Sequence, residues 1–355
     1  MGERLGVAIL GCAHRPHAWS YARALASSRT AHLVAVHDPD PDLAHSVADD
    51  FGVPCVADAK ALVSSPEVRA VVVCSPTAQH RAHVELAAAH GCHVLCEKPL
   101  ATTAEDAAAM ITATEEAGRQ LHVAFPSRFL PQVRRVKEAL DAGTLGRVIG
   151  LRAGNRGRPP LPPQYPAWIT TPAESGGGAL IDHSVHLTDL LRHLTGQEVA
   201  RVAAETGSLL WNAGVEDCAL LSLELSGGTV ASLDPSWSVP ANNPWDYDFF
   251  LRLVGAAGSV DLDDVSESVR LVSDRAGAGL RLVGFAEDPD AAMVEAFVES
   301  VLCGSLLEPC ASGVDGLRSL EVALAGYRSA ADGGCFVEPR VRSCASQEAD
   351  EQPAR

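Results

Sequence analysis

The stretch VAILGCAHRPHAW, Val7 to Trp19, begins as a buried strand and passes through a glycine into a helix-forming segment. In a dinucleotide-binding unit the first strand ends in G-x-G-x-x-G, so that the chain turns tightly and its backbone approaches a pyrophosphate at the helix N-terminus. Gly11 fills the first position, but Ala13 and Pro16 occupy the second and third. The fingerprint is incomplete on its own. Pro16 still suits the first helical turn, where a missing N–H costs nothing. His14 and His17 add candidate phosphate donors beside Gly11, Cys12 and Ala13.

The segments that follow repeat the same strand-then-helix rhythm. Leu5 to Leu10, Leu33 to Val36, Val68 to Cys74, Val94 to Cys96 and Leu121 to Ala124 are near-continuous apolar runs, as strands of a parallel sheet covered on both faces must be. Helical patterns separate them over Asp42 to Phe51, Ala78 to His90 and Ala104 to Ala117, the last preceded by Thr102 and Thr103 as caps. This is a doubly wound βαβ series. Asp38 closes the second strand, 22 residues past Pro16, near the distance at which an acidic side chain grips the adenosine ribose hydroxyls. An acid there favours NAD over NADP, because a 2′-phosphate would be repelled.

Two further strand ends point to the same crevice. Ser75-Pro76-Thr77, followed by His80, ends the third strand; Glu97-Lys98-Pro99 ends the fourth. The chain holds only three lysines, Lys60, Lys98 and Lys137, so a lysine at the end of a buried strand stands out. It can donate to an oxygen that gains negative charge.

After Phe125 the rhythm changes. A helix over Gln132 to Ala142 and a strand over Arg147 to Ala153 lead into a Pro/Gly-rich stretch, Gly154 to Gly178, of the length used for lids and binding loops. Beyond a helix from Ala179 to Leu194, alternating segments run from Val199 to Val272, and helices near Ala291 to Cys303 and Gly316 to Ala331 follow. These predict an open, mostly antiparallel sheet with one covered face. The expected architecture is α/β: a Rossmann dinucleotide-binding domain over 1–124, an α+β substrate and oligomerisation domain over 125–340, and a flexible tail over 341–355.

Composition narrows the function classes. The chain has 355 residues, 47% of them hydrophobic, and a formal net charge of −17 without a basic stripe, which excludes a phosphate-backbone partner. It has neither a membrane-length apolar run nor a signal-peptide core, and reads as cytoplasmic. The 10 dispersed cysteines read as reduced thiols. Cys92, His93 and Cys96 come nearest to metal spacing but alternate between strand faces, so no metal site is expected.

GGGALIDHSVHLTDLL, Gly176 to Leu191, resembles the glycine-led helix of the second domain in the Gfo/Idh/MocA family, which implies an acid and a histidine four residues apart; here these are Asp182 and His186, which share a helix face. Oxidising a secondary alcohol requires its proton to leave as hydride departs, and histidine titrates in the right range to accept it. Asp182 would orient an imidazole or bind a substrate hydroxyl, and Lys98 would stabilise the alkoxide. The glycine run would let the helix start lie close against a ligand or the first domain. Asn155, Arg156, Arg158, Tyr165 and Trp168, with His183 on the helix, are candidate substrate contacts.

The strand–turn–helix at Gly11, the acid at Asp38, Ser75-Pro76-Thr77 with His80, and Glu97-Lys98-Pro99, in this order, resemble the Gfo/Idh/MocA family of glucose–fructose oxidoreductase, inositol dehydrogenase and rhizopine catabolism proteins. The similarity covers nearly the whole chain. It implies NAD bound by Gly11, Cys12, Ala13, His14, His17, Asp38, Ser75, Pro76, Thr77, His80, Glu97 and Lys98, and catalytic roles for Lys98, Asp182 and His186. It further implies a polyhydroxylated small-molecule substrate and a homodimer or homotetramer formed through the C-terminal sheet. Ser184 stands where many members have glycine, which would alter substrate geometry. Two other activities fit the same resemblance: a redox-neutral epimerase, lyase or glycosidase with transient oxidation, and a ligand sensor without catalysis.

Overall fold

The computed structural model describes residues 4–243, 246–263, 268–273, 279–284 and 287–340; the expected tail over 341–355 lies outside them. The first sheet carries parallel strands β1 (Leu5–Leu10), β2 (Ala31–His37), β3 (Ala70–Val73), β4 (His93–Cys96) and β5 (Leu121–Val123). The second contains β6 (Val148–Gly157), β7 (Val199–Gly207), β8 (Cys218–Leu225), β9 (Val230–Asp234), β10 (Tyr247–Gly255) and β11 (Ser259–Asp263). A hairpin, β12 (Ser268–Ser273) with β13 (Gly279–Gly284), and a short β14 (Ala311–Ser312) complete the strands.

The helices are α1 (Arg15–Ser27), α2 (Pro41–Phe51), α3 (Ala59–Val63), α4 (His80–Ala89), α5 (Ala104–Glu116), α6 (Pro131–Asp141), α7 (Pro172–Ser175), α8 (Ala179–Thr195), α9 (Pro289–Cys303) and α10 (Gly313–Ala331). Their starts are chemically marked. Asp40 caps α2 ahead of Pro41, the Thr103 hydroxyl accepts from the Asp106 amide at the start of α5, and Ser312 with Asp315 forms a capping box on α10.

Strand order in the first sheet is β14-β5-β4-β3-β1-β2. The order reverses between β1 and β3, and ligands of doubly wound sheets bind outside the carboxyl ends of the strands at such a switch point. All six residues of β1 are buried, which explains its unbroken apolar run. One face of the sheet is covered by α1, α2 and, from far along the chain, α9, whose Met293, Val294, Phe297, Val298 and Val301 join the same core. β14 adds an antiparallel edge through Ala311 opposite Val123. These late segments were not legible as parts of the first sheet.

The second sheet, ordered β11-β10-β6-β9-β8-β7, is antiparallel except where β6 runs parallel to β9. Its inner face packs on α8, whose Leu180, Val185, Leu187 and Leu191 share a core with Leu221, Leu223, Leu233, Leu251 and Leu253. Its other face leaves Ile149, Leu220, Val230 and Val254 between 44% and 56% exposed. Arg128 and Asp189 lock the domain junction: Nε donates to Oδ2 at 2.7 Å and Nη2 to Oδ1 at 2.6 Å, with both side chains buried. No helix of the described residues is long and apolar enough to cross a membrane.

Candidate active site

The turn after β1 holds its shape through Gly11. Its φ is +87°, and a Cβ there would stand 2.6 Å from the Ser75 amide nitrogen, so the turn after β1 and the end of β3 touch backbone to backbone. The Cys12 amide donates to Asp38 Oδ2 at 2.6 Å and the Asp40 amide to Oδ1 at 2.8 Å. Each carboxylate oxygen keeps a second lone pair, which ribose hydroxyls would need. α1 starts on time despite Ala13 and Pro16, with His14 at its N-cap and Pro16 in the first turn.

The two turn histidines shift in opposite directions. Their rings lie 3.8 Å apart. Burial and the neighbouring His17 push His14 down to about 3, so it is neutral. For His17 burial opposes protonation, but Glu97, 2.7 Å from its Nδ1, outweighs it and raises the value. Tyr21 also donates to Glu97 Oε1, and the Lys98 amide donates to Oε2 at 3.0 Å. Burial would raise the Glu97 carboxyl, yet the His17 charge holds it well below the usual range. Glu97 thus ties the fourth strand end to α1 and favours the protonated form of His17 beside the turn after β1.

Ser75 and His80 serve as braces. Ser75 Oγ meets His83 at 2.8 Å, and His80 spans the Ser75 and Pro99 carbonyls at 3.0 and 3.1 Å. Pro76 precedes the single turn of 3-10 helix that carries Thr77. Thr77 Oγ1 and His14 Nδ1 are buried without a partner, although both residues line the same pocket. A close glycine turn, an acid with free lone pairs and these orphaned polar atoms fit a dinucleotide.

From the second domain α8 brings Asp182. Lys98 Nζ donates to Asp182 Oδ1 at 2.6 Å and to its carbonyl at 3.2 Å. Trp237 Nε1 donates to Oδ2 at 3.0 Å, and His183 Nε2 lies 3.2 Å from the same oxygen. Burial would raise the Asp182 carboxyl, but Lys98 and His183 hold it far below the usual value. It is a fixed anion that orients donors.

Asp182 and His186 share a helix face as the spacing predicts, but the imidazole in contact with Asp182 is His183, the next residue. The carboxylate reaches back toward Lys98, away from the following turn. His183 lines the pocket, and Gly157 of β6 leaves room for its ring, since a Cβ there would stand 2.6 Å from Cε1. His186 packs edge-on against Phe125 at 5.7 Å, outside the pocket lining; burial and the Lys98 charge keep it neutral.

The three glycines before α8 divide their roles: a Cβ on Gly176 would stand 3.4 Å from Thr102 of the first domain, Gly177 lines the pocket, and Gly178 packs within its own domain. A Cβ on Gly178 would meet the Glu216 carbonyl at 2.1 Å, and the Glu216 carboxylate accepts the Gly178 and Leu180 amides at 3.0 and 3.1 Å. Trp168 lines the pocket and leans on the first domain: its Nε1 donates to the Ala13 carbonyl at 3.2 Å and its ring meets His14 edge-on. Arg158 and Tyr165 line the pocket, whereas Arg156 pairs with Asp248 and Asn155 is outside the lining. Ser184 is fully buried, its hydroxyl unpartnered. Tyr247 and Trp237 are additions that the sequence did not mark; the strand read from alternation begins at Phe249, and it is the extension of β10 back to Tyr247, in register opposite Gly157, that brings this ring to His183.

A strand-end lysine, an acid from a second-domain helix and a dinucleotide turn in one cleft define a nicotinamide-dependent oxidoreductase. The chain belongs to the Gfo/Idh/MocA family: residues 5–125 match the oxidoreductase family with NAD-binding Rossmann fold, and residues 133–261 match the family's C-terminal domain. It is 30% identical over 308 residues to the myo-inositol 2-dehydrogenase of Thermotoga maritima, covering 84% of this chain and 88% of that one. To the inositol 2-dehydrogenase of Rhizobium meliloti it is 28% identical, over 88% and 93% of the two chains. The crystal structure of GenD2 from gentamicin A biosynthesis, in complex with NAD, superposes with a TM-score of 0.84 at 28% identity, over 95% of this chain and 97% of that one.

Proposed function

We propose that the protein transfers hydride between NAD and a secondary hydroxyl or ketone of a sugar or cyclitol. The Lys98–Asp182 pair carries this reading, because it stands in the same pocket as His14, His17 and Thr77 of the dinucleotide turn. Gly11, Cys12, Ala13, His14, His17, Ser75, Pro76 and Thr77 would hold the phosphates and nicotinamide side, and Asp38 the ribose. Bound NAD supplies the hydride acceptor. Lys98 Nζ donates to the reacting oxygen and stabilises it as negative charge develops. Asp182 holds that ammonium in place. The family resemblance assigns the hydroxyl proton to His186, which burial keeps neutral; its ring stands outside the pocket lining, so the proton would have to reach it through an intervening group.

One observation favours a second assignment of the base. A carboxylate only accepts, so His183 Nε2 carries the hydrogen toward Asp182; Nδ1 is buried without a partner on both His183 and His186, but His183 is the one of the two that lines the pocket. Its Nδ1 would then take the proton. Substrate hydroxyls would meet His183 and Arg158, with Asn155 and Trp168 at the margin. The relatives' names, inositol 2-dehydrogenases, support a cyclitol or sugar ring as substrate.

The test is the absorbance of NADH during incubation with NAD and a panel of inositols and sugars. Turnover that disappears in Lys98→Ala supports the reading; full activity in that variant overturns it. A second copy of the chain is proposed to cover the open face bearing Ile149, Leu220, Val230 and Val254, giving a dimer or tetramer. Sedimentation as a monomer that Leu220→Glu leaves unchanged would count against it.

A further inference from the structure

The pocket around Lys98 and Asp182 is narrow, about 40 Å3, yet a groove of about 540 Å3 opens beside it and shares Arg158 and Tyr165 with it. The larger volume falls in the range of about 300–1,000 Å3 typical of small-molecule sites. We infer that the groove is a subsite for a second glycosyl ring, so that the substrate is a glycoside whose neighbouring ring is oxidised at Lys98. This rests on the dehydrogenase reading and extends it.

The lining has the chemistry of a pyranose partner. Leu161, Pro162, Tyr165 and Trp211 offer apolar and aromatic surface, and Gln164 and Asp246 offer polar groups at the same groove. A sugar ring presents the same combination, with apolar C–H faces and hydroxyls around its edge. Arg158 stands where the two spaces meet and is held by Asp246 at 2.8 Å and by the Asn243 carbonyl. A distal ring in the groove would place its glycosidic linkage beside this guanidinium, at the mouth of the narrow pocket.

Trp211 is built into the site. The buried Asp217 carboxylate accepts the Leu209, Leu210 and Trp211 amides at 2.8, 3.0 and 2.6 Å, which fixes the segment. Trp211 Nε1 then donates to the Trp237 carbonyl at 2.8 Å, and the fully buried Trp237 donates to Asp182. One hydrogen-bonded path therefore runs from the groove wall to the acid beside Lys98. The distal ring would rest against a wall in register with the reacting centre.

The experiment is calorimetric titration of the NADH-saturated full chain with matched probes: glucose against cellobiose and maltose, mannose against mannobiose, and myo-inositol against galactinol. In at least one pair the two-ring ligand is expected to bind ten-fold or more tightly than its single ring. Trp211→Ala, and independently Leu161→Arg, which fills the groove from a half-exposed loop position, should reduce that ratio to about one. The second variant guards against a folding defect in the first.

No pair exceeding a three-fold preference, no binding by any probe, or a preference that survives both variants would overturn the inference. Release of NADH is followed separately. Single-ring turnover without two-ring preference overturns the subsite and leaves the dehydrogenase reading standing; a two-ring preference without NADH formation overturns the dehydrogenase reading and, with it, the inference that the neighbouring ring is oxidised.

Discussion

Lys98 and Asp182, 84 positions apart in the chain, meet at 2.6 Å across the cleft between the domains. The lysine side chain is 8% exposed, so its charge is balanced mainly by this one carboxylate. Lys98→Met removes the donor to the reacting oxygen and should lower kcat by roughly 10²–10⁴-fold. NAD affinity, measured by calorimetry, should change far less. Equal losses in both would place Lys98 in cofactor binding alone.

His186 and His183 separate in kinetics. His186→Asn is expected to lower kcat by roughly 10²–10⁴-fold and to remove the acidic limb of the kcat profile. His183→Asn should chiefly raise KM. The opposite pattern would assign the proton to His183 Nδ1, as its place in the pocket lining favours.

Stability should depend on pH through His17 and Glu97. Burial opposes the His17 charge, but Glu97 raises its value above the ordinary 6.5. Its contribution is therefore complete below about 6.5 and is lost as pH rises through the raised value. Glu97 is depressed, so its contribution is present above its ordinary 4.5 and is lost as pH falls through the lowered value. Tm from this pair should peak between these two limits and decline on the alkaline side. His17→Gln should flatten that decline in a thermal-melt series; an unchanged slope would show that the pair is not its source.

The junction pair gives a thermodynamic test. Arg128→Met leaves Asp189 buried and uncompensated, and should cost roughly 3–5 kcal/mol in denaturant unfolding. Adding Asp189→Leu should recover much of the loss, because replacing both members of a buried pair by apolar groups is far less costly than removing one. Loss in the double variant equal to the sum of the two singles would contradict this account.

The strands of the first sheet were legible because their whole surface is buried, leaving unbroken apolar runs such as Leu5–Leu10 and Ala70–Val73. α8 was legible through its periodicity, and Lys98 through its rarity and its place at a strand end. Partnerships across long separations left no local trace. Glu97 gave no sign of meeting His17 and Tyr21, nor Asp182 of meeting Trp237, because each contact depends on packing between distant elements. The Asp182–His186 spacing gave the shared face correctly, but helical periodicity does not report which way a carboxylate turns once a lysine approaches from another domain.

The edge strand β14 and the covering helix α9 also bear on biosynthesis. A ribosome releases the dinucleotide sheet well before it makes residues 289–312, yet those residues cover α1 and finish the sheet's far edge. During that interval the nascent chain exposes the apolar surface that Phe297 and Val298 later bury. The cofactor half is therefore synthesised well before it is completed, and a fragment ending near residue 125 would carry the same exposed surface permanently.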